Sequence, residues 1–149
     1  MPRFQRFSKE LPPGHIGHRL AQEAIDKEYG ACREIELQFS KAWKKQGKDM
    51  FLKTYQEIAD FSANLTRSIG TKPIRRVCPK EPGKPENWAA YYRDRVIYTP
   101  EFVSVVVIVH ETAHHVCRVE SIQGAFLLPH GQAFCEIESL LFQSLLTNS

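Results

Sequence analysis

Val103-Ser104-Val105-Val106-Val107-Ile108-Val109-His110-Glu111-Thr112-Ala113-His114-His115 is the stretch on which the reading of this chain turns. Its second half spells H-E-x-x-H. On a helix, residues i and i+4 share a face, so the rings of His110 and His114 can reach one metal ion. Glu111 follows the first ring directly and stands where it can take a proton from a water that such an ion activates. Composition alone yields such a pentad in roughly one chain of this size in a hundred, so its surroundings must carry the reading. Val103, Val105, Val106, Val107, Ile108 and Val109 lead into the motif without a charge, which predicts a buried segment. Two imidazoles and a carboxylate at the end of a buried segment need a partner, because unpaired polar groups are costly inside. A metal ion, zinc first, supplies one.

Val and Ile favour strands, yet a helix start signal precedes them. Thr99 is a suitable N-cap, Pro100 suits the first helical position, and Glu101 favours the positive end of a helix dipole. The pattern predicts one buried helix from Pro100 to about Val119.

A catalytic zinc keeps three protein ligands and an open position. His130, in Leu128-Pro129-His130-Gly131-Gln132-Ala133-Phe134, is the first candidate for the third ligand; Glu136 is the alternative and Glu138 ranks behind it. His115 points about 100° away from His114 around a helix and reads as a supporting or surface residue. Cys117 shares the face of His110 and His114, and reads as a small buried residue. Gly124 marks a break, and Pro129 opens a helix to about Leu146 with Phe134, Ile137, Leu141 and Leu145 on one stripe.

H-E-x-x-H on a helix, followed by His130-Gly131-x-x-Phe134, resembles the SprT-like zinc metallopeptidases and related minimal zincins. It is also similar to a bacterial and phage family of small metallohydrolases with the same two blocks, two consecutive His at the end of the motif, and an aromatic hairpin upstream. The resemblance covers about Asn87 to Leu146. It implies a zincin-like α+β fold, in which helices pack on a small, mostly antiparallel sheet of about three strands. It implies Zn2+ held by His110, His114 and His130, Glu111 as general acid/base, and a protein or peptide substrate. Many relatives read His-Gly-Pro-x-Phe where this chain has Gln132, and no Cys-rich zinc ribbon follows. Such likeness implies a reaction class better than a substrate.

The chain's 149 residues suit one hydrophobic core and a single domain over 1–149. With 42% hydrophobic and 25% charged residues it is not compositionally disordered. Residues 1–15, with Pro2, Pro12, Pro13 and Gly14, read as a loose arm. Helical spacing then runs from about Gly17 to Lys45, with a kink at Gly30 and a stop at Gly47. Asp49 caps a second helix through Ile69, which Gly70 stops. Pro73–Cys78 reads as a strand and Pro79–Pro85 as a loop. Trp88–Tyr92 and Val96–Tyr98 read as a hairpin turning near Arg93-Asp94-Arg95. Its edge near Ala89–Tyr91 is the expected surface for an extended substrate. Tyr91, Tyr92 and Tyr98 are the candidates for polarising a scissile carbonyl; alternation allows at most one of Tyr91 and Tyr92 to face the site.

There is no run of about eighteen apolar residues and no apolar signal core, so a cytoplasmic protein without membrane spans is expected. The 4 Cys show no C-x-x-C spacing and read as free thiols of a reducing compartment. A rival reading is a binding module of the same fold with a structural or vestigial zinc. It would touch protein, or nucleic acid through Arg75, Arg76, Lys80, Lys84, Arg93 and Arg95, although a net charge of +3 is modest for that. A third is hydrolysis of a non-peptide bond by the same activated water.

Overall fold

Apolar residues at helical spacing wind Ile16–Lys45 into a 30-residue helix, α1, which is continuous through Gly30. The computed structural model describes residues 16–81, 89–127 and 130–147. The expectations for 1–15, Lys84, Trp88 and Pro129 lie outside the described residues. Cys32, Phe39 and Trp43 form the buried stripe of α1. Gly47, at φ +76°, reverses the chain where a side chain would be strained.

A short strand follows, not the expected helix from Asp49. Strand β1, Phe51–Leu52, comes first, and helix α2 spans Tyr55–Ser68. Thr54 caps α2: its hydroxyl accepts from Glu57 N at 3.0 Å, while Glu57 Oε2 accepts from Lys53 N at 2.8 Å. This T-x-x-E start outcompetes Asp49, whose Oδ1 instead accepts from Phe51 N at 2.9 Å. Gly70, at φ +72°, ends the turn after α2 as expected.

Three strands follow: β2 Arg76–Pro79, β3 Tyr91–Arg93 and β4 Val96–Thr99. Their order is β2-β4-β3. β3 and β4 form the expected hairpin, turning at Asp94 and Arg95 with φ of +53° and +67°, the signs a tight two-residue turn requires. The sheet is mixed, not mostly antiparallel. β4 inserts between β3 and β2, and runs parallel to β2.

Strand β5, Val103–Ser104, pairs antiparallel with β1, joining Leu52 to Val103 and Phe51 to Ser104. Val105 N donating to Met50 O at 2.8 Å extends the contact. Helix α3 therefore starts at Val105 and ends at Val119, with Ser104 as its cap, accepting from Val106 N at 3.1 Å. The expected start at Thr99-Pro100 is corrected. Thr99 closes β4, fully buried, and its hydroxyl donates to Pro100 O at 2.9 Å. Strand propensity thus prevails over the Thr-Pro-Glu signal because Val103 has a strand partner. The expected uniform burial also needs correction: Ile108 and Val109 are in the core, whereas Val106 and Val107 are half-buried and line a cleft.

The last elements are α4, Gln123–Leu127, and α5, Gln132–Thr147. Gly124 lies inside α4 and marks no break; a Cβ there would come 2.9 Å from Ala133 Cβ. α3 sits at the centre, packed on α2, α5 and β3, and α5 packs in turn on α1. Phe39 of α1 stacks on Phe142 of α5 with ring centroids 4.2 Å apart. The architecture is α+β. Among the described residues no helix is long and apolar enough to cross a membrane.

Candidate metal centre

His110 and His114 project from one face of α3 with ring centroids 4.9 Å apart, and His130 reaches them from the turn before α5. One ring nitrogen from each of the three lies within 4.8 Å of the others. His110 Nε2 and His130 Nε2 are 3.2 Å apart. Around a tetrahedral zinc with Zn–N bonds of about 2.0–2.1 Å, neighbouring nitrogens stand about 3.3 Å apart. The donor set and its spacing suit a zinc-class ion.

The other nitrogen of His110 explains why the ring is held this way. Nδ1–H donates to Glu36 Oε2 at 2.9 Å and to Glu138 Oε2 at 3.2 Å. Glu36, held ionised, can only accept, so Nδ1 keeps its proton and Nε2 faces the other histidines. It is the carboxylate–imidazole pairing that, at metal sites, fixes a ligand's tautomer and raises its basicity. Glu138, ranked third as a ligand, is fully buried and supports His110 from behind. Glu36 was not foreseen as part of the site. Its signal was an acid within the apolar stripe of α1, four residues from Cys32 and three from Phe39.

Phe134 is the inner wall of the centre. It is fully buried, with its ring centroid 5.0, 4.5 and 5.2 Å from those of His110, His114 and His130. A cleft of about 400 Å³ opens on the other side, lined by the three histidines, Glu111, Glu36, Val106, Val107, Ala89, Ala90 and Tyr91.

Electrostatics divides these groups into two sets. Burial opposes charge on His110, but the hydrogen bonds to Glu138 and Glu36, with Glu111 nearby, outweigh it and push the ring up to about 10. Burial, reinforced by the charge on His110, holds His114 well below the usual imidazole range and brings His130 down to about 4. Both rings are therefore neutral and ready to ligate near neutral pH. Burial pushes Glu111 up to about 7, against the pull of His110. A carboxyl poised there can both accept and return a proton. Burial and the neighbouring Glu36 push Glu138 up to about 8, while hydrogen bonds from His110 and Glu138 outweigh burial and hold Glu36 low.

The other expected site residues fall as follows. Glu136 is exposed and accepts from Gln132 Nε2 at 3.1 Å, so the alternative third ligand is excluded on geometry: it sits on the outer face of α5. His115 is no surface residue. It is fully buried, donates from Nε2 to Lys72 O at 2.7 Å, and accepts at Nδ1 from the Tyr92 hydroxyl at 2.8 Å. That bond turns Tyr92 away from the cleft. Tyr98 pairs with Tyr91 across the hairpin and stacks on it at 4.9 Å, but does not line the cleft. Of the three candidate tyrosines only Tyr91 reaches the site. Cys117 is buried, as expected. Among the basic residues, Arg93 pairs with Glu81 at 2.6 Å.

No family model matches this chain, and neither does any characterised protein or solved structure compared with it.

Proposed function

We propose that this chain is a zinc-dependent metallopeptidase of zincin-like architecture. The observation that carries the reading is the convergence of His110, His114 and His130 on one cleft that buried Glu111 also lines. These three histidines would hold the ion. When bound, zinc supplies Lewis acidity: it polarises a carbonyl and lowers the pKa of a water toward neutrality.

The chain's own residues do the rest. Glu111 accepts the proton of the attacking water and delivers it to the leaving amine, a double duty suited to its raised pKa. Glu36 and Glu138 hold the His110 ring in one orientation throughout. β3 is the outer strand of its sheet, and Ala89, Ala90 and Tyr91 at its entrance share the cleft with the histidines. An extended peptide added to that edge would pass the centre.

The test is Glu111→Gln, assayed with zinc content by elemental analysis and with cleavage of a fluorogenic peptide library. Zinc should stay bound while turnover falls about 10²–10⁴-fold. Undiminished cleavage by the Gln variant would remove Glu111 from the mechanism. A zinc-loaded wild type that cleaves no peptide would remove the peptidase assignment.

A further inference from the structure

A second group of side chains with potential ligand atoms adjoins His110. α1 contributes Cys32 and Glu36 at i and i+4; α5 contributes Cys135 and Glu138 at i and i+3. Both spacings place the pair on one face of its helix, and these two helices pack together. Ligand atoms of Cys32, Glu36 and Glu138 lie within 4.8 Å of one another. Cys135 Sγ stands 3.5 Å from Cys32 Sγ. That is far beyond a disulfide bond and near the roughly 3.8 Å between two sulfurs on one tetrahedral zinc.

An independent observation points to a missing partner. Glu138 is 0% exposed. Its Oε2 serves His110, but its Oε1 is buried with no donor among the described residues other than a proton shared with Glu36. A buried, unpaired carboxylate oxygen is expensive, and the groups nearest it offer thiols and a second carboxylate.

We infer that Cys32, Cys135, Glu36 and Glu138 form a second, buried site for a zinc-class divalent cation. Two sulfur and two oxygen donors favour a tetrahedral, borderline-soft ion over calcium or magnesium. Each thiol gives up its proton to solvent as its metal–sulfur bond forms, and no oxidation is involved. The same two carboxylates then face both ways, with Oε2 of each accepting from His110 Nδ1–H and the remaining oxygens on the second ion. Without the ion each thiol donates to the His130 carbonyl oxygen, at 3.9 Å for Cys32 and 3.7 Å for Cys135, and gives up that bond when it ligates.

Cobalt distinguishes the two centres, since a three-histidine site has no thiolate. The metal-stripped full chain is titrated with Co2+ and followed by near-ultraviolet absorption and metal counting. The expected result is about two equivalents bound, with a thiolate-to-cobalt charge-transfer band. Cys32→Ser with Cys135→Ser should abolish the band and leave about one equivalent. His114→Ala should retain the band and lose the other equivalent. Wild-type protein needs no substitution to decide the matter: absence of the band overturns the second site and leaves Glu36 and Glu138 sharing a proton, whereas the band with one equivalent supports it and overturns the three-histidine site instead. A band that survives in a folded Cys32/Cys135 double variant overturns it as well, by assigning the thiolate to Cys78 or Cys117.

Discussion

Phe134 touches all three histidines, so its removal should damage fold and metal site by separable amounts. The ring is fully buried. An aromatic side chain hides about 200 Å² from water, worth up to about 5 kcal/mol at about 25 cal/mol/Å². Core Phe→Ala substitutions cost about 3–5 kcal/mol once the cavity is included, so Phe134→Ala should lose that much. At about 2.1 cal/mol/K of unfolding entropy per residue, 149 residues give about 0.3 kcal/mol/K. The melting temperature should then fall by about 10–15 °C. Urea and thermal unfolding of the chelator-stripped protein measure this term alone. Phe134→Leu keeps most of the volume and should cost about 1–2 kcal/mol, while still freeing the imidazoles. Zinc competition against a chromophoric chelator should show that folded Leu variant about tenfold or more weaker, as for other supports of metal ligands. A stability loss below about 1 kcal/mol for the Ala variant would refute the packing argument. Unaltered zinc affinity in the Leu variant would refute the role of the ring as a template.

Zinc affinity should rise with pH. His110, pushed up to about 10, carries a proton on Nε2 before an ion binds, while His114 and His130 are already neutral. Binding displaces about one proton, so affinity should increase about tenfold per pH unit between about pH 7 and 9; a flat profile in chelator competition would contradict the assignment. Ser104→Ala removes the cap of α3 and should cost about 1 kcal/mol in urea unfolding, whereas a loss below about 0.3 kcal/mol would show that the cap is immaterial. Glu136→Ala should leave zinc affinity within about twofold, because that carboxylate lies on the outer face of α5; a large loss would restore it as a ligand.

The motif was legible because its information is local. His110, Glu111 and His114 owe their arrangement to one helical turn, and His130 follows within a short connection. The start of α3 was not legible, because Val103 and Ser104 are drawn into β5 by Leu52 and Phe51, some fifty residues away. Local propensity at Thr99-Pro100 carries no knowledge of that partner. The carboxylates around His110 come from 74 and 28 residues away. They still left a trace: Glu36 falls on the stripe of Cys32, Phe39 and Trp43, and Glu138 on that of Phe134 and Leu141. An acid on a core-facing stripe requires a partner, and that rule alone would have put both on the list. The parallel ladder of β2 and β4 had no such trace, since pairing direction depends on where the hairpin docks.

The distance in sequence between His110 and its supports sets when the centre can exist. A chain is made in one direction and its helices pack as they emerge. α3 alone can offer two imidazoles and Glu111. The third imidazole, the Phe134 wall and one of the two carboxylates behind His110 all lie between positions 130 and 138. Until α5 has docked, Nδ1 of His110 has at most Glu36 to orient it and the cleft lacks its inner wall. A ribosome-bound chain stopped before that helix therefore holds only two of the three imidazoles, and the three-histidine cluster forms only when α5 docks.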